Sequence, residues 1–480
     1  MRLIQLASFA LVAVFAAACG SSSATGPQSP PVITLVNGAP KPTGLVGMTV
    51  VIQGADFGSA AHGQVFFTPA GGAAIPATIV DPSTDWTNTV IVTTVPRGIT
   101  TTAEVTVQTA AGTSNNVLFT AISNQPFSPS TITWTLATAL PNKRQGLGAA
   151  FVPVTTGTPA EYVFAVGGAD TTNTATAAVY RAQIQAAGAL GAWSTALPPL
   201  PEPRAYQTTV AATAYTSAID TTAGSGYLYS IGGVDNAGHV VATVYVARVG
   251  LDGSLGAWQT TTALPSPRHS SGATVFDGYI YLVGGAGAGH TPNDSAYRAS
   301  VHADGTLGAW QAITSLPQQT AYLAVSNFGP YMYAVGGDNG TVAPGVDSSS
   351  GSETGNVYMA QIDPRNGMLA AAGWSSVTAM GKARSKHSAL AAGGALLASS
   401  GVYGGSAGSS ENRYGTINAD GTLGSWNGAT GTNTIDAVLG YSVYNEASVA
   451  FTDALGHGHL MLLGGGDRAT GNAVAGVVYY

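Results

Sequence analysis

The chain consists of short apolar segments separated by turn residues. Val, Ile, Tyr and Phe dominate the segments, and Gly, Pro, Asn and Asp bound them. This pattern is typical of short β-strands, since an exposed helix shows a longer apolar stripe and a charged outer face. It therefore predicts an all-β protein.

From residue 131 one unit recurs with a period of about fifty to sixty-five residues. Each unit has a Leu-Pro phrase, two apolar strands ending in Gly-Gly, a polar loop, a Tyr strand and a Trp strand. One copy reads LPSPR (264–268), YIYLVGG (279–285) and DGTLGAW (304–310). The Asp-Gly predicts a two-residue hairpin, in which both central residues have positive φ.

These parts, in this order, resemble the kelch motif over about 131–480. The resemblance implies a β-propeller with one four-stranded blade per unit. Six Gly-Gly pairs predict six blades, and they begin at Gly167, Gly232, Gly284, Gly336, Gly404 and Gly464.

The first and last parts of the repeat region are both incomplete. The last unit has no Trp strand, whereas Trp134 has no Gly-Gly or Tyr strand before it. The strand at 131–136 is therefore predicted to pair beside 474–480, which closes the ring and leaves no open seam.

Residues 32–122 carry strand patterns at close spacing, such as TVVIQGADFG, QVFFTP and AEVTVQTAAG. About seven such strands predict an immunoglobulin-like sandwich. PVITLVNGAP followed by VVIQGADFG, VPRG and GTSNNVLFT resembles the IPT/TIG family, whose domains usually act as spacers or binding modules of surface proteins. Residues 123–130 are predicted to be a linker.

The chain begins with MRLIQLASFALVAVFAAAC. One positive charge followed by a short apolar run predicts a signal peptide over 1–18. The small residues before Cys19 resemble the bacterial lipobox, which implies cleavage there and lipidation of Cys19. The alternative is an ordinary signal peptide with an incidental cysteine. Residues 19–31 are predicted to be a flexible tether. We expect a monomer anchored at the outer membrane, on its periplasmic or its outer side.

Composition excludes several function classes. Only 8% of residues are charged and the net charge of −7 includes no Lys/Arg cluster, so nucleic-acid binding is not expected. Cys19 is the one cysteine, which excludes internal disulfides and the Tyr–Cys copper site of kelch galactose oxidases. We expect no cofactor and no metal, since the HGH at 457–459 has no third ligand nearby.

Strand order within a blade predicts where a site lies. The phrase before the first strand and the loop after Gly-Gly emerge on the same face. The candidate ligand-binding residues there are Arg144, Arg204, Tyr206, Arg268, His269, Arg384, His387, Asp170, Asp235, Asp338 and Asp467. The planar fork of Arg suits carboxylate, phosphate or sulfate. Alternatively, each Arg is structural and bonds carbonyls or a neighbouring Asp.

We expect a non-enzymatic, lipid-anchored binding or adhesion protein of the cell envelope, whose propeller recognises a glycan, a peptide or a protein. The alternative is a carbohydrate-active enzyme similar to the kelch sialic-acid mutarotases, acting through the Arg and His residues of that face. No catalytic motif in the sequence favours this alternative.

Overall fold

The computed structural model describes residues 29–38, 42–79, 81–122, 133–154, 160–185, 188–212, 226–341, 352–403, 411–428, 434–452 and 458–479. The predicted signal peptide, Cys19 and most of the tether lie outside these ranges. The described chain is almost all β, with a short α-helix at Ile435–Leu439 and 3₁₀ turns at Ala60–His62 and Ala288–His290. No helix in the described ranges is both long and apolar enough to cross a membrane.

Two sheets form the N-terminal sandwich. One contains Val32–Val36, Thr49–Ala55 and Val90–Thr94. The other contains Thr43–Leu45, Val117–Ile122, Thr102–Thr109, Gln64–Pro69 and Ile75–Pro76, with Gly112–Thr113 beside Thr102–Thr109. The core between them includes Ile52, Phe67 and Phe119.

Six antiparallel sheets follow, one for each predicted blade. Blade one has Gly148–Val154, Ala160–Val166 and Val179–Ile184, with bridges to Leu190 and Ser194 in place of a regular fourth strand. Blade two has Thr208–Ala212, Gly226–Ile231, Val244–Val249 and Gln259–Thr261. Blade three has Gly272–Phe276, Tyr279–Val283, Ala296–Ser300 and Gln311–Ile313.

The other three blades have four strands each. Blade four has Ala324–Phe328, Tyr331–Val335, Val357–Ile362 and Leu369–Val377. Blade five has Ser388–Ala392, Ala395–Ser399, Arg413–Ile417 and Leu423–Gly428. Blade six has Ala447–Thr452, Gly458–Leu463, Val477–Tyr479 and Thr135–Leu136. A two-stranded pair, Val443–Tyr444 with Gly466–Asp467, lies beside blade six.

The ring is closed by both ends of the repeat region. Thr135 pairs with Tyr479 and Leu136 with Val478, so the fourth strand of blade six precedes blade one in sequence. The first strand of every blade also contacts the first strand of the next, from blade six back to blade one. The predicted fold class, an immunoglobulin-like sandwich followed by a six-bladed kelch-type propeller, is confirmed.

The second strands are mostly apolar because both of their faces are covered by neighbouring blades. In Tyr331–Val335 every residue is buried. Met332 and Ala334 pack towards blade three, whereas Tyr333 and Val335 pack towards blade five. Alternation along the strand therefore divides one apolar run between two interfaces.

The Gly-Gly pairs connect consecutive blades. The second glycine donates its N–H to the carbonyl of the residue that starts the next blade, as in Gly233 to Arg268 at 2.9 Å. Both glycines have positive φ in every pair that the structure describes. A Cβ on Gly284 would lie 2.5 Å from the Thr320 carbonyl oxygen, so only glycine fits that close approach.

Blade five corrects one prediction. There Ser400 (φ 62°) and Gly401 (φ 89°) occupy the position of the pair, and the Gly401 N–H donates to the Val443 carbonyl at 3.2 Å. Gly404, which was predicted to begin this pair, lies outside the described residues. A serine therefore holds the first left-handed position in this blade.

The DGTLGAW phrase also differs from its predicted turn. Only Gly305 has positive φ, and the Gly305 N–H donates to His302, so the loop is longer than a two-residue hairpin. Asp304 instead accepts the Thr306 N–H at 2.9 Å. The Gly305 carbonyl accepts the Tyr229 hydroxyl of blade two at 2.7 Å, and the Trp310 indole donates to Thr262 at 3.0 Å. The phrase thus joins blade three to blade two.

The sandwich packs against one face of the propeller, which we call the turn face because it carries the turns between first and second strands. Met48 is fully buried in a cluster with Phe328 and Tyr331 of blade four. Val51 is fully buried in a cluster with Phe276 of blade three. The opposite face, with the blade starts and the loops after Gly-Gly, is called the loop face.

Gly284→Ala should lower the free energy of unfolding, because the new Cβ would overlap the Thr320 carbonyl oxygen at a left-handed position. Gly289 lies in the same blade with φ 78° and has nothing within 4 Å of a built Cβ. Gly289→Ala should cost about 1–2 kcal/mol for backbone strain alone. Gly284→Ala should cost about 1–3 kcal/mol more. Equal thermal unfolding midpoints for the two variants would contradict this role of the pair.

Candidate functional site

Six residues with left-handed backbone surround the propeller axis on the loop face, one from each blade, two positions after the residue that starts the blade. This axial ring is formed by Gly146, Tyr206, Ser270, Tyr322, Lys386 and Asn445, with φ between 51° and 57°. Each N–H donates to the carbonyl of the preceding member, with N···O distances of 2.6 to 3.1 Å. Because Gly146 donates to Asn445, the six bonds close on themselves.

The axial ring and the residues after it line a cavity of about 120 Å³, which we call the axial pocket. Tyr206, Tyr322, Lys386 and Asn445 are all more than nine-tenths buried. The Asn445 Nδ2 has no hydrogen-bond partner among the described residues. Pockets that enclose whole small molecules are typically about 300–1,000 Å³. The axial pocket therefore fits one end group of a larger ligand.

Charged and aromatic groups are distributed unevenly around this pocket. The Lys386 ammonium lies 5.1 Å from the centre of the Tyr322 ring, within the range of a cation–π contact. Blade six contributes the Glu446 carboxyl, which accepts the Ser388 hydroxyl at 2.8 Å. Its other oxygen has no partner within the described chain. Burial raises the pKa of this carboxyl.

His387 lies next to Lys386 in the lining and carries no charge at neutral pH. Burial, together with the nearby Arg384, lowers the pKa of its imidazole to about 3. Neither ring nitrogen has a hydrogen-bond partner in the part of the chain that the structure describes. Buried polar atoms without partners are uncommon in folded proteins and call for a water or a ligand. The blade-five side of the pocket therefore has unused hydrogen-bonding capacity.

The predicted arginines lie on the loop face, but their guanidinium groups are buried inside their own blades. The exposed fraction is 8% for Arg144, 1% for Arg204 and 2% for Arg268. Each lies over the Tyr of the third strand of its blade, at 6.0, 5.5 and 5.0 Å from the ring centre, respectively. These groups face neighbouring side chains and not the axial pocket.

Arg384 is buried in the same way, and its side chain is fully buried. Its guanidinium donates to the Ser400 and Glu411 carbonyls, both at 3.1 Å. Arg268 similarly donates to the Gly284 carbonyl at 2.9 Å. Arg268 and Arg384 thus fix the peptide groups that follow the second strand of their own blade. Arg144 and Arg204 instead donate to the carbonyl of the residue before them and to the Tyr hydroxyl of the third strand.

The predicted aspartates hold the loops after the Gly-Gly pairs. Asp170 accepts the N–H groups of Thr172 and Thr174, and the Thr172 hydroxyl bond lowers the pKa of this carboxyl. Asp235, Asp338 and Asp467 likewise accept a backbone N–H two residues further on. These bonds are local turns of the Asx type.

His269 forms a separate pair outside the axial pocket. Its Nε2 lies 3.0 Å from the His290 Nδ1, and burial lowers the pKa of His269 to about 3. No cluster of three or more His, Cys, Asp or Glu that could hold a metal exists in the described ranges. Among the predicted site residues, only Tyr206 and His387 line the axial pocket.

The residues of the axial pocket that the sequence did not indicate as candidate ligand contacts include Ser270, Tyr322, Asn445 and Glu446. The signal that marks them is positional, because each follows the blade-start residue by two or three positions. Their chemical types differ from blade to blade, so no repeated motif indicates them.

Comparison with known proteins finds a short sequence similarity and a remote structural similarity. No protein-family model matches the chain. Kelch-like protein 13 of Bos taurus and of Homo sapiens are each 28% identical over 82 residues, which is 17% of this chain and 12% of those relatives' length. A solved structure described as "Structure of YjhT" aligns with 16% identity and a TM-score of 0.49, covering 72% of this chain and 96% of that chain.

Arg204→Ala should destabilise the fold, because it removes buried hydrogen bonds and the contact with the Tyr245 ring. We expect a loss of about 2–4 kcal/mol in the free energy of unfolding. Arg97→Ala, at an exposed position of the sandwich, should change it by less than about 0.5 kcal/mol. Thermal unfolding measures both variants. A thermal unfolding midpoint of Arg204→Ala equal to that of the wild type would contradict the structural role and make Arg204 a candidate ligand contact again.

Proposed function

We propose that this protein is a lipid-anchored binding protein of the cell envelope. In this proposal its kelch-type propeller captures an end group of a glycan, a peptide or a protein at the axial pocket. The sandwich acts as an IPT/TIG-type spacer, and lipidated Cys19 holds the monomeric chain at the outer membrane.

The observation that supports this proposal is the position of the sandwich. It buries Met48 and Val51 against the turn face, so that face is already occupied at blades three and four. The loop face carries the axial pocket and is directed away from the sandwich. A tether that leaves from the sandwich side would therefore present the pocket to partners beyond the membrane.

The chemistry of the pocket suits recognition of a polar group. Lys386 supplies N–H donors, Asn445 supplies an amide, and Tyr206 and Tyr322 supply flat apolar surfaces that end in hydroxyl groups. Such amphipathic side chains bind sugars and peptide ends, since both present hydroxyl or amide groups beside C–H surfaces.

A carbohydrate-active enzyme is the second candidate, and one observation favours it. His387 and Glu446 both line the pocket, with the pKa of the imidazole lowered and the pKa of the carboxyl raised by burial. A raised pKa brings a carboxyl nearer to the pH range in which it transfers protons, and a neutral imidazole in the same lining can accept a hydrogen bond from a substrate hydroxyl. In this candidate these two residues, and not the arginines, carry the chemistry.

Lys386→Met should weaken binding at the axial pocket. The thioether side chain keeps the length but removes the N–H donors and the charge, so retention of a ligand found on a glycan or peptide array should fall at least about tenfold. Lys143→Met, at an exposed position next to Arg144, is the matched control and should bind normally. Equal retention by both variants would refute the axial pocket as the binding site.

For any sugar bound in that assay, exchange between its anomers is followed by NMR. Binding without faster exchange supports the binding protein. Faster exchange that His387→Gln and Glu446→Gln both remove supports the enzyme instead.

Cys19→Ser should release the protein from the membrane, because the lipid would have no sulfur to attach to. Each buried methylene of an acyl chain contributes about 0.8 kcal/mol to anchoring. We expect the wild type in the detergent phase of a phase-partition experiment and the variant in the aqueous phase, with Ser22→Ala as control. A wild-type protein in the aqueous phase would contradict the lipid anchor.

A further inference from the structure

A second cavity lies where the sandwich meets blade four, far from the loop face. Its volume is about 420 Å³, within the usual range of small-molecule sites, and interfaces between domains are where such sites often occur. The sandwich contributes Thr49, Thr94 and Asp85 to its lining, and blade four contributes Gln361, Asp363 and Arg365. We call it the interdomain cleft.

The sandwich wall of the cleft places polar side chains beside apolar contacts of the interface. Thr49 pairs with Thr94, and Val51 pairs with Val92, across two adjacent strands. Residues two apart on a strand share a face, so the threonines stand beside the fully buried Val51. Two methyl-bearing hydroxyls therefore replace apolar packing at this end of the interface.

The blade-four wall carries an arginine that is already oriented. The Arg365 Nε donates to the Asp363 Oδ1 at 2.8 Å, and its NH2 donates to the Asp363 Oδ2 at 3.1 Å. Its NH1 lies 3.9 Å from the Asp85 Oδ1 of the sandwich. Arg365 thus spans the cleft between two carboxylates, and its side chain is still 44% exposed.

The charges in this lining nearly balance. Two carboxylates and one guanidinium leave a single negative charge, which disfavours an anion. The Arg365 guanidinium lies between the two carboxylates and is bonded to both Asp363 oxygens, which disfavours a second cation. Ala370 and Ala371 add small apolar surfaces. A ligand that fits must both donate and accept hydrogen bonds, must be uncharged, and must present C–H groups.

We propose that the interdomain cleft binds a neutral polyhydroxylated molecule of about the size of one sugar residue. Its hydroxyl groups donate to Asp85 and Asp363 and accept from Arg365, and its C–H face lies on the two alanines. This site is independent of the axial pocket and of the proposed function, since it lies on the opposite side of the propeller.

The test titrates the full chain in detergent with the methyl glycosides of glucose, galactose, mannose and N-acetylglucosamine, observed by saturation-transfer NMR and by calorimetry. Arg365→Ala should weaken glycoside binding at least about tenfold, and Thr94→Val, which keeps the side-chain shape, should weaken it about threefold to tenfold. Thr106→Val, on a sandwich strand away from the cleft, is the matched control. Unchanged thermal unfolding of the variants excludes loss of folding.

Lys386→Met separates the two sites. Glycoside binding that survives Lys386→Met and weakens in Arg365→Ala supports the cleft. Binding that is lost in Lys386→Met and unchanged in Arg365→Ala assigns the sugar to the axial pocket and overturns the cleft proposal. The absence of binding by every glycoside, up to its solubility limit, also overturns it.

Discussion

The closed ring of six backbone hydrogen bonds around the axis is the constraint on which the rest of the propeller depends. Six chain segments converge there, and each uses its N–H and its carbonyl to hold both neighbours. The geometry requires positive φ at all six positions, although five of them are not glycine. Such backbone costs about 1–2 kcal/mol per residue, and it persists only where the surroundings fix it. Backbone strain is therefore concentrated at the mouth of the axial pocket.

Most of the fold could be predicted because it follows from patterns that repeat. No single blade can bury both faces of its sheet, so continuous apolar runs such as Tyr331–Val335 indicate neighbours on each side. The Trp134 segment, which has no Gly-Gly or Tyr strand before it in the sequence, likewise indicated the closing strand. Individual backbone angles could not be predicted. Ser400 takes a left-handed position that the pattern assigns to glycine. The prediction was placed at Gly404 instead, because a Gly-Gly pair occurs there in the sequence.

The candidate site was less predictable for a physical reason. Recurrence of Arg at the blade starts is expected of a structural residue and of a ligand-binding residue alike, and only packing distinguishes them. The axial ring shows the opposite behaviour. Its backbone is the same in all six blades, but its side chains change from Gly146 to Tyr206 to Lys386. A repeat that is constant in conformation and variable in chemistry leaves no motif in the sequence.

Blade four shows why the arginines and the axial ring have different roles. Thr320 stands where blades one, two, three and five have Arg. Gln318 accepts there from the Asn356 amide at 3.0 Å. That amide also donates to the Tyr358 hydroxyl at 3.2 Å. Other side chains thus bond to the third-strand Tyr of blade four in place of an arginine, and blade four still contributes to the axial ring. In the axial pocket the side chains differ from blade to blade. Lys386 on blade five, for example, faces the Tyr322 ring on blade four. A sixfold backbone with charge on one side only has the asymmetry that orients a ligand, whereas the buried arginines repeat too regularly to do so.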